Sequence, residues 1–139
     1  MKAMILASEE RLVVDSNSAA VPELQAKVSA LCGEAGLDDL AAFQLTCAIV
    51  EAVNNCIEHA YGGESGHPIT LVWLRKRDGI AVEIRDQGRL MPSPPPESPA
   101  MAGVDAESGR GWHIIRQWTD AVTYTREANE NVLTLTRGL

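Results

Sequence analysis

The spacing of apolar residues changes character several times along the chain. Leu12, Val13 and Val14 mark a short strand over residues 11–15, and residues 1–7 could pair with it. Ser16-Asn17-Ser18 supplies N-cap side chains and Pro22 suits a first helical turn. A helix is therefore predicted to about Ala35, with Leu24, Val28 and Leu31 on one face and Gly36 ending it. A second helix opens near Asp38 and Asp39, whose charges favour an N-terminus, and runs to about Tyr61 before Gly62-Gly63. The period then drops to two. Residues 69–76 and 80–85 alternate around Asp78-Gly79, a hairpin signal. Residues 87–108 carry Pro92, Pro94, Pro95, Pro96 and Pro99, too many for regular structure, so the stretch reads as a lid or linker. A third helix is predicted from Gly111 to about Trp118. Strands over 121–126 and 132–136 follow, turning around Asn129-Glu130-Asn131. This order predicts one α+β domain over 1–139, a two-layer sandwich whose helices cover one face of a mostly antiparallel mixed sheet.

Composition narrows what such a domain can do. Only 4% of the 139 residues are aromatic, so the core must be aliphatic. A net charge of −7 excludes a nucleic-acid partner, which needs a basic face, and suits attraction to a basic protein surface. No apolar run approaches a membrane span and no signal-peptide pattern opens the chain, so a cytoplasmic location is expected. Cys32, Cys47 and Cys56 form no CxxC pair and read as reduced, mostly buried thiols.

The second helix carries the first chemistry. On a helical wheel Leu45, Ile49, Ala52, Val53, Cys56, Ile57 and Ala60 share one face, and Glu51, Asn54, Asn55 and Glu58 the other. Two adjacent asparagines inside a helix are unusual, because Asn prefers caps and turns. A carboxylate at Glu51 and an amide oxygen at Asn55, one turn apart, could serve Mg²⁺, which takes few protein ligands and keeps several waters. An ordinary solvated helix face is the competing account. Cys56 and His59 are spaced to share a metal, but no further ligand pair accompanies them, and a core cysteine beside a packing histidine explains them better. Further on, Asp86-Gln87-Gly88 ends a strand, where a carboxylate could accept from a purine amino group and Gly88 could admit the ring. Gly109-Arg110-Gly111 stands where the third helix is expected to begin, and helix N-termini attract phosphates. Trp112 and Trp118 follow on that helix, as core packing or as a partner anchor.

Taken in order, E-x-x-x-N on a helix, D-x-G after a hairpin, an irregular stretch and then G-x-G resemble the GHKL ATPase superfamily. Glu51-Ala-Val-Asn-Asn-Cys-Ile-Glu-His-Ala-Tyr-Gly-Gly, Glu83-Ile-Arg-Asp-Gln-Gly and Gly109-Arg-Gly-Trp-His-Ile-Ile resemble the stand-alone anti-sigma-factor serine kinases within it. The resemblance spans the chain from about Arg11 to the last strand. It implies a Bergerat-type ATP-binding fold with a lid at about 87–110. It further implies that Asn55 coordinates Mg²⁺, Glu51 acts as base or orients the attacking hydroxyl, and Asp86 accepts from the adenine amino group. Gly88 would shape the adenine pocket, Gly109 and Gly111 would hinge the lid at the phosphates, and Arg110 would add a charged contact. One departure stands out: Leu90, followed by Met91-Pro92, occupies the place where the wider superfamily tends to carry a second glycine. The implied activity is Mg·ATP-dependent phosphorylation of a serine on a STAS-type anti-anti-sigma partner, alternating with capture of a sigma factor. Homodimers form often in that family. Two other readings belong beside it: a nucleotide-binding switch that holds a regulator without phosphotransfer, and a detached histidine-kinase catalytic domain lacking its phosphoacceptor helix.

Overall fold

In the computed structural model residues 6–90 and 106–139 are described, with side chains over 8–90 and 111–139. The chain runs β1 (Leu6–Asp15), a 3-10 turn (Ser18–Ala20), α1 (Val21–Glu34), α2 (Asp39–Asn55) and a π-helical turn (Cys56–Ala60). It continues through β2 (Pro68–Lys76), β3 (Gly79–Asp86), α3 (Ala106–Gln117), β4 (Ala121–Glu127) and β5 (Glu130–Gly138). The strands form one sheet in the order β1-β2-β3-β5-β4, and every pairing is antiparallel. The expected two-layer α+β sandwich is therefore present, with its sheet antiparallel throughout the described residues rather than mixed.

Three boundaries differ from expectation for physical reasons. Residues 6–15 form one strand paired to β2, so the predicted pairing of 1–7 with 11–15 does not occur at Leu6 or Ala7; residues 1–5 lie outside the described residues. The third helix starts at Ala106, five residues ahead of Gly111, because nothing in Ala106-Glu-Ser-Gly-Arg breaks a helix outright. The last hairpin turns at Ala128-Asn129, one residue early, with Ala128 in the left-handed region at φ 55°. That shift places Asn131 inside β5. The proline-bearing 91–105 lies outside the described residues.

Packing follows the alternation. Ile69, Leu71 and Trp73 of β2, Ile80, Val82 and Ile84 of β3, and Leu133 and Leu135 of β5 are buried in one cluster with the helices. From the helices come Leu24, Val28 and Cys32 of α1, Leu45, Ile49, Ala52 and Val53 of α2, and Trp112 and Ile115 of α3. Each such aliphatic side chain stabilises by about 1.5–3 kcal/mol on burial, which holds helices that would be marginal alone. Helix α2 packs against both α1 and α3, in the middle of its layer. Asp38 caps it, accepting from the Ala41 N–H at 2.8 Å. The continuous helical stretch Asp39–Ala60 is long and apolar enough, by length and composition, to cross a membrane, contrary to the sequence expectation. Its apolar face is buried in the core described above, as expected of the central helix of such a layer.

Candidate functional site

The site is built where the end of α2, the end of β3 and α3 meet. All seven residues assigned to the apolar face of α2 are buried. Glu51 and Asn54 are half-buried and Glu58 is exposed, as the wheel suggested. Asn55 is the exception on that polar face: it is only 6% exposed. Its Nδ2 has no hydrogen-bond partner among the described residues, an arrangement that costs about 1–3 kcal/mol unless something else satisfies it. Gly111 of α3 lies against the same two side chains. A methyl group on Gly111 would stand 3.1 Å from Glu51 Oε2 and 3.9 Å from Asn55 Oδ1. The structure thus brings Glu51, Asn55 and Gly111 together. Gly109 and Arg110 lie in the first turns of α3, ahead of Gly111 and not at a helix start there; their side-chain surroundings fall outside the described residues.

Beyond Asn55 the helix widens into its π-helical turn, with the Tyr61 N–H donating to the Cys56 carbonyl at 3.0 Å. Such turns recur at functional sites because they redirect backbone groups. Here the Ala60 carbonyl accepts from the Arg89 N–H at 2.8 Å, tying the loop after β3 to the helix end. Gly88 makes that approach possible. A Cβ there would lie 2.6 Å from the Ala60 carbonyl carbon and closer still to its oxygen. Tyr61 adds a second tie, its hydroxyl accepting from the Gln87 N–H and donating to the Pro68 carbonyl, both at 2.7 Å.

Asp86 sits at this junction, 2% exposed. Its Oδ1 accepts from the Gly88 N–H at 2.9 Å and from Asn131 Nδ2 at 2.8 Å. Its Oδ2 accepts from the Cys56 thiol at 3.4 Å. Burial raises the Cys56 thiol well above its ordinary range, and the adjacent Asp86 charge and hydrogen bond push it the same way, so it stays a donor. Cys32 is raised by burial and Cys47 by burial and by the nearby Glu51 charge. All three cysteines are free. Among the described residues no cluster of His, Cys, Asp and Glu is arranged to hold a metal unaided, which leaves Cys56 and His59 outside any such set.

A buried carboxylate at a strand end, an amide beside a helix carboxylate, and a glycine closing on the latter two lie in a chain that matches a known family. The sequence matches the histidine kinase-like ATPase domain over residues 14–137. The chain belongs to that family. Within it, the chain is similar to anti-sigma-factor kinases: it is 34% identical over 99 residues to the serine/threonine-protein kinase BtrW of Bordetella bronchiseptica, covering 68% of each chain. Its fold also matches a crystal structure of the RsbU and RsbW domains of Rv1364c from Mycobacterium tuberculosis. The TM-score is 0.66 at 17% identity, over 94% of this chain and 32% of that one, so this chain spans about a third of that protein. The antiparallel sheet under a layer of helices is the Bergerat-type arrangement, and ATPase domains of this family generally bind ATP with Mg²⁺. Against the family's expected residues, the structure adds three that the sequence reading did not assign to the site: Cys56 and Asn131 on Asp86, and Arg126 on Asn131. Period-two counting back from Leu135 and Leu133 would have found Asn131 on the helix-facing side. The other two need the tertiary structure.

Proposed function

We propose that the chain binds Mg·ATP between α2, the end of β3 and α3, and works in a cytoplasmic partner-switching system. There it acts as a serine-protein kinase and anti-sigma factor, phosphorylating a STAS-type anti-anti-sigma partner. The observation that carries this reading is Asn55: a buried carboxamide with an unpartnered NH₂, one turn from Glu51 and facing Gly111. A polar group so placed fits a ligand that supplies both a cation for its oxygen and an anion for its nitrogen, as magnesium-bound phosphate does. The residues fit the group. Bound Mg·ATP supplies the phosphoryl group and the cation that neutralises its charge.

The chain's own residues do the rest. Asn55 holds the metal and Asp86 accepts from the adenine amino group. Gly88 lets the 86–89 loop lie flat against Ala60 at the base. Glu51 takes the proton of an acceptor serine hydroxyl as that oxygen bonds to the γ-phosphorus, the bridging P–O bond breaks and ADP leaves. Gly109 and Gly111 bring α3 to the phosphates, with Arg110 as a charged contact. The relative named a serine/threonine-protein kinase supports the reaction type. The net charge of −7 suits a partner with a basic contact surface.

Calorimetry of the chain with Mg·ATP tests the nucleotide site, and no heat at millimolar ligand would sink the reading. Phosphotransfer to a STAS-domain protein separates kinase from switch. Asn55→Ala should lose Mg²⁺-dependent affinity. Glu51→Ala should keep most affinity and lose transfer by on the order of 10²–10⁴-fold. A wild-type chain that binds its partner and nucleotide yet transfers nothing is a binding switch instead.

A further inference from the structure

We propose that Asn131 is a positioning residue that sets base selectivity. Its side-chain amide occupies one oxygen of Asp86 and leaves the other to read an exocyclic amino group, favouring 6-amino over 6-oxo purines. The inference rests on the nucleotide reading above.

Register alone places the residue. Asp86 pairs with Asn131 and Asn131 with Arg126 across β3, β5 and β4. Directly opposed residues of an antiparallel pair share a face. One row at the end of the sheet therefore reads carboxylate, carboxamide, guanidinium, continuing the buried apolar rows Ile84–Leu133 and Val82–Leu135. Asn131 is 0% exposed. Its Nδ2 lies 2.8 Å from Asp86 Oδ1, 3.0 Å from the Arg89 carbonyl and 3.2 Å from the Gly88 carbonyl. Its Oδ1 accepts from Arg126 Nη1 at 2.8 Å. Arg126 thereby fixes which end of the amide meets Asp86; a flipped amide would set oxygen against carboxylate.

With the Gly88 N–H and Asn131 both on Oδ1, only the thiol of Cys56, a weak donor, engages Oδ2 among the described residues. Oδ2 is the oxygen left with strong acceptor capacity. A 6-amino group meets that need, whereas a 6-oxo group would present acceptor to acceptor and leave both unpaired. The same amide also braces the loop through the Gly88 and Arg89 carbonyls, so the test must separate selectivity from bracing.

The test is calorimetric affinity of the full chain for Mg·ATP and for the magnesium complex of inosine triphosphate. Wild type should favour ATP by about 10–100-fold, the worth of one hydrogen bond to a charged group. Asn131→Ala should shrink that ratio by on the order of tenfold. Asn131→Asp replaces the donor to Asp86 Oδ1 by a second carboxyl that Arg126 can still pair with, so it too should lose discrimination. Mere bracing would shift the affinities for both nucleotides together and leave their ratio unmoved. Folded variants that keep the wild-type ratio overturn the proposal, as does a wild type that binds both nucleotides equally; the nucleotide site would survive either result. A wild type that binds neither nucleotide removes that site and the proposal with it. Should Asn131→Ala not fold, the exposed Arg126→Ala decides: a reduced ratio supports the proposal and an unchanged one overturns it.

Discussion

Gly88→Ala puts the geometry of the 86–89 loop to a direct test. The backbone at Gly88 is not in the left-handed region, so alanine is conformationally permitted there. Space is what forbids it. The added carbon would sit 2.6 Å from the Ala60 carbonyl carbon and 2.9 Å from Ala60 Cβ, against ordinary carbon–carbon contacts of about 3.5–4.0 Å. The loop must move by roughly 1 Å away from a helix end that cannot yield, since the obstacle is backbone. Overpacking of this kind costs about 1–3 kcal/mol. Weakening the Arg89 N–H to Ala60 carbonyl bond, now 2.8 Å, adds about 0.5–1.5 kcal/mol. The expected loss is about 1.5–4.5 kcal/mol, or roughly 5–17 °C in melting temperature for a chain of this size. Gly33→Ala is the internal control. It sits in α1 with nothing within 4 Å of its absent side chain, so the same substitution should stabilise, by up to about 1 kcal/mol. Urea titration and thermal melting measure both. A Gly88→Ala protein melting within about 1 °C of wild type would refute the close-approach argument.

Gly111→Ala should behave in the opposite way to Gly88→Ala. Its obstacle is the flexible end of Glu51 at 3.1 Å, so stability should stay within about 1 kcal/mol, while phosphotransfer falls on the order of 10–100-fold as the carboxylate is displaced. Full transfer at unchanged stability would show that Glu51 needs no fixed position. Alkaline stability is a third test. Burial raises Cys32 and Cys56, so above the ordinary thiol value of about 8.5 the unfolded chain sheds protons that the folded chain keeps. The urea midpoint should hold below that pH and decline as pH rises past it, less steeply in Cys56→Ala. Thiol labelling should find the half-buried Cys47 first, and Glu51→Gln should speed its labelling by removing the charge that raises its pKa.

The sequence made the layers legible because they rest on periodicity. The 3.6-residue face of α2 and the alternation of β2 and β3 both survive into the packed core. What it concealed was set by groups that periodicity does not weigh. Asn55 falls on the polar side of the wheel, yet α3 closes over that side and buries it. Cys56 reads as core, and it is, but its thiol also reaches across to Asp86 on another element. Asn131 reads as turn chemistry because Asn129-Glu130-Asn131 looks like a loop. Ala128, a residue with no preference for positive φ, turns the chain one position sooner and hands Asn131 to the strand. The start of α3 falls earlier than the glycines suggest for a related reason: glycines that suggest a phosphate loop are weak breakers, and a helix can run through them at about 1 kcal/mol each.

That division of labour bears on how the proposed site can fail. Asp86, proposed to read the base, is held by the sheet end, through Asn131 and Arg126, and by the π-helical turn, through Cys56 and the Ala60 carbonyl. Asn55, proposed to hold the metal, immediately precedes that turn, and Glu51, proposed to take the proton, lies one turn earlier on α2, where α3 meets them. Among the described contacts the partners of Asn131 are not those of Gly111, so damage at Asn131 should spare the handling of the acceptor hydroxyl, and damage at Gly111 should spare the choice of base. Substitutions far enough apart and without shared partners combine additively. Asn131→Ala with Gly111→Ala should therefore show the sum of their separate free-energy effects on transfer, within about 0.5 kcal/mol. A markedly smaller combined loss would mean that the two halves move as one unit, with the π-helical turn as the piece that couples them.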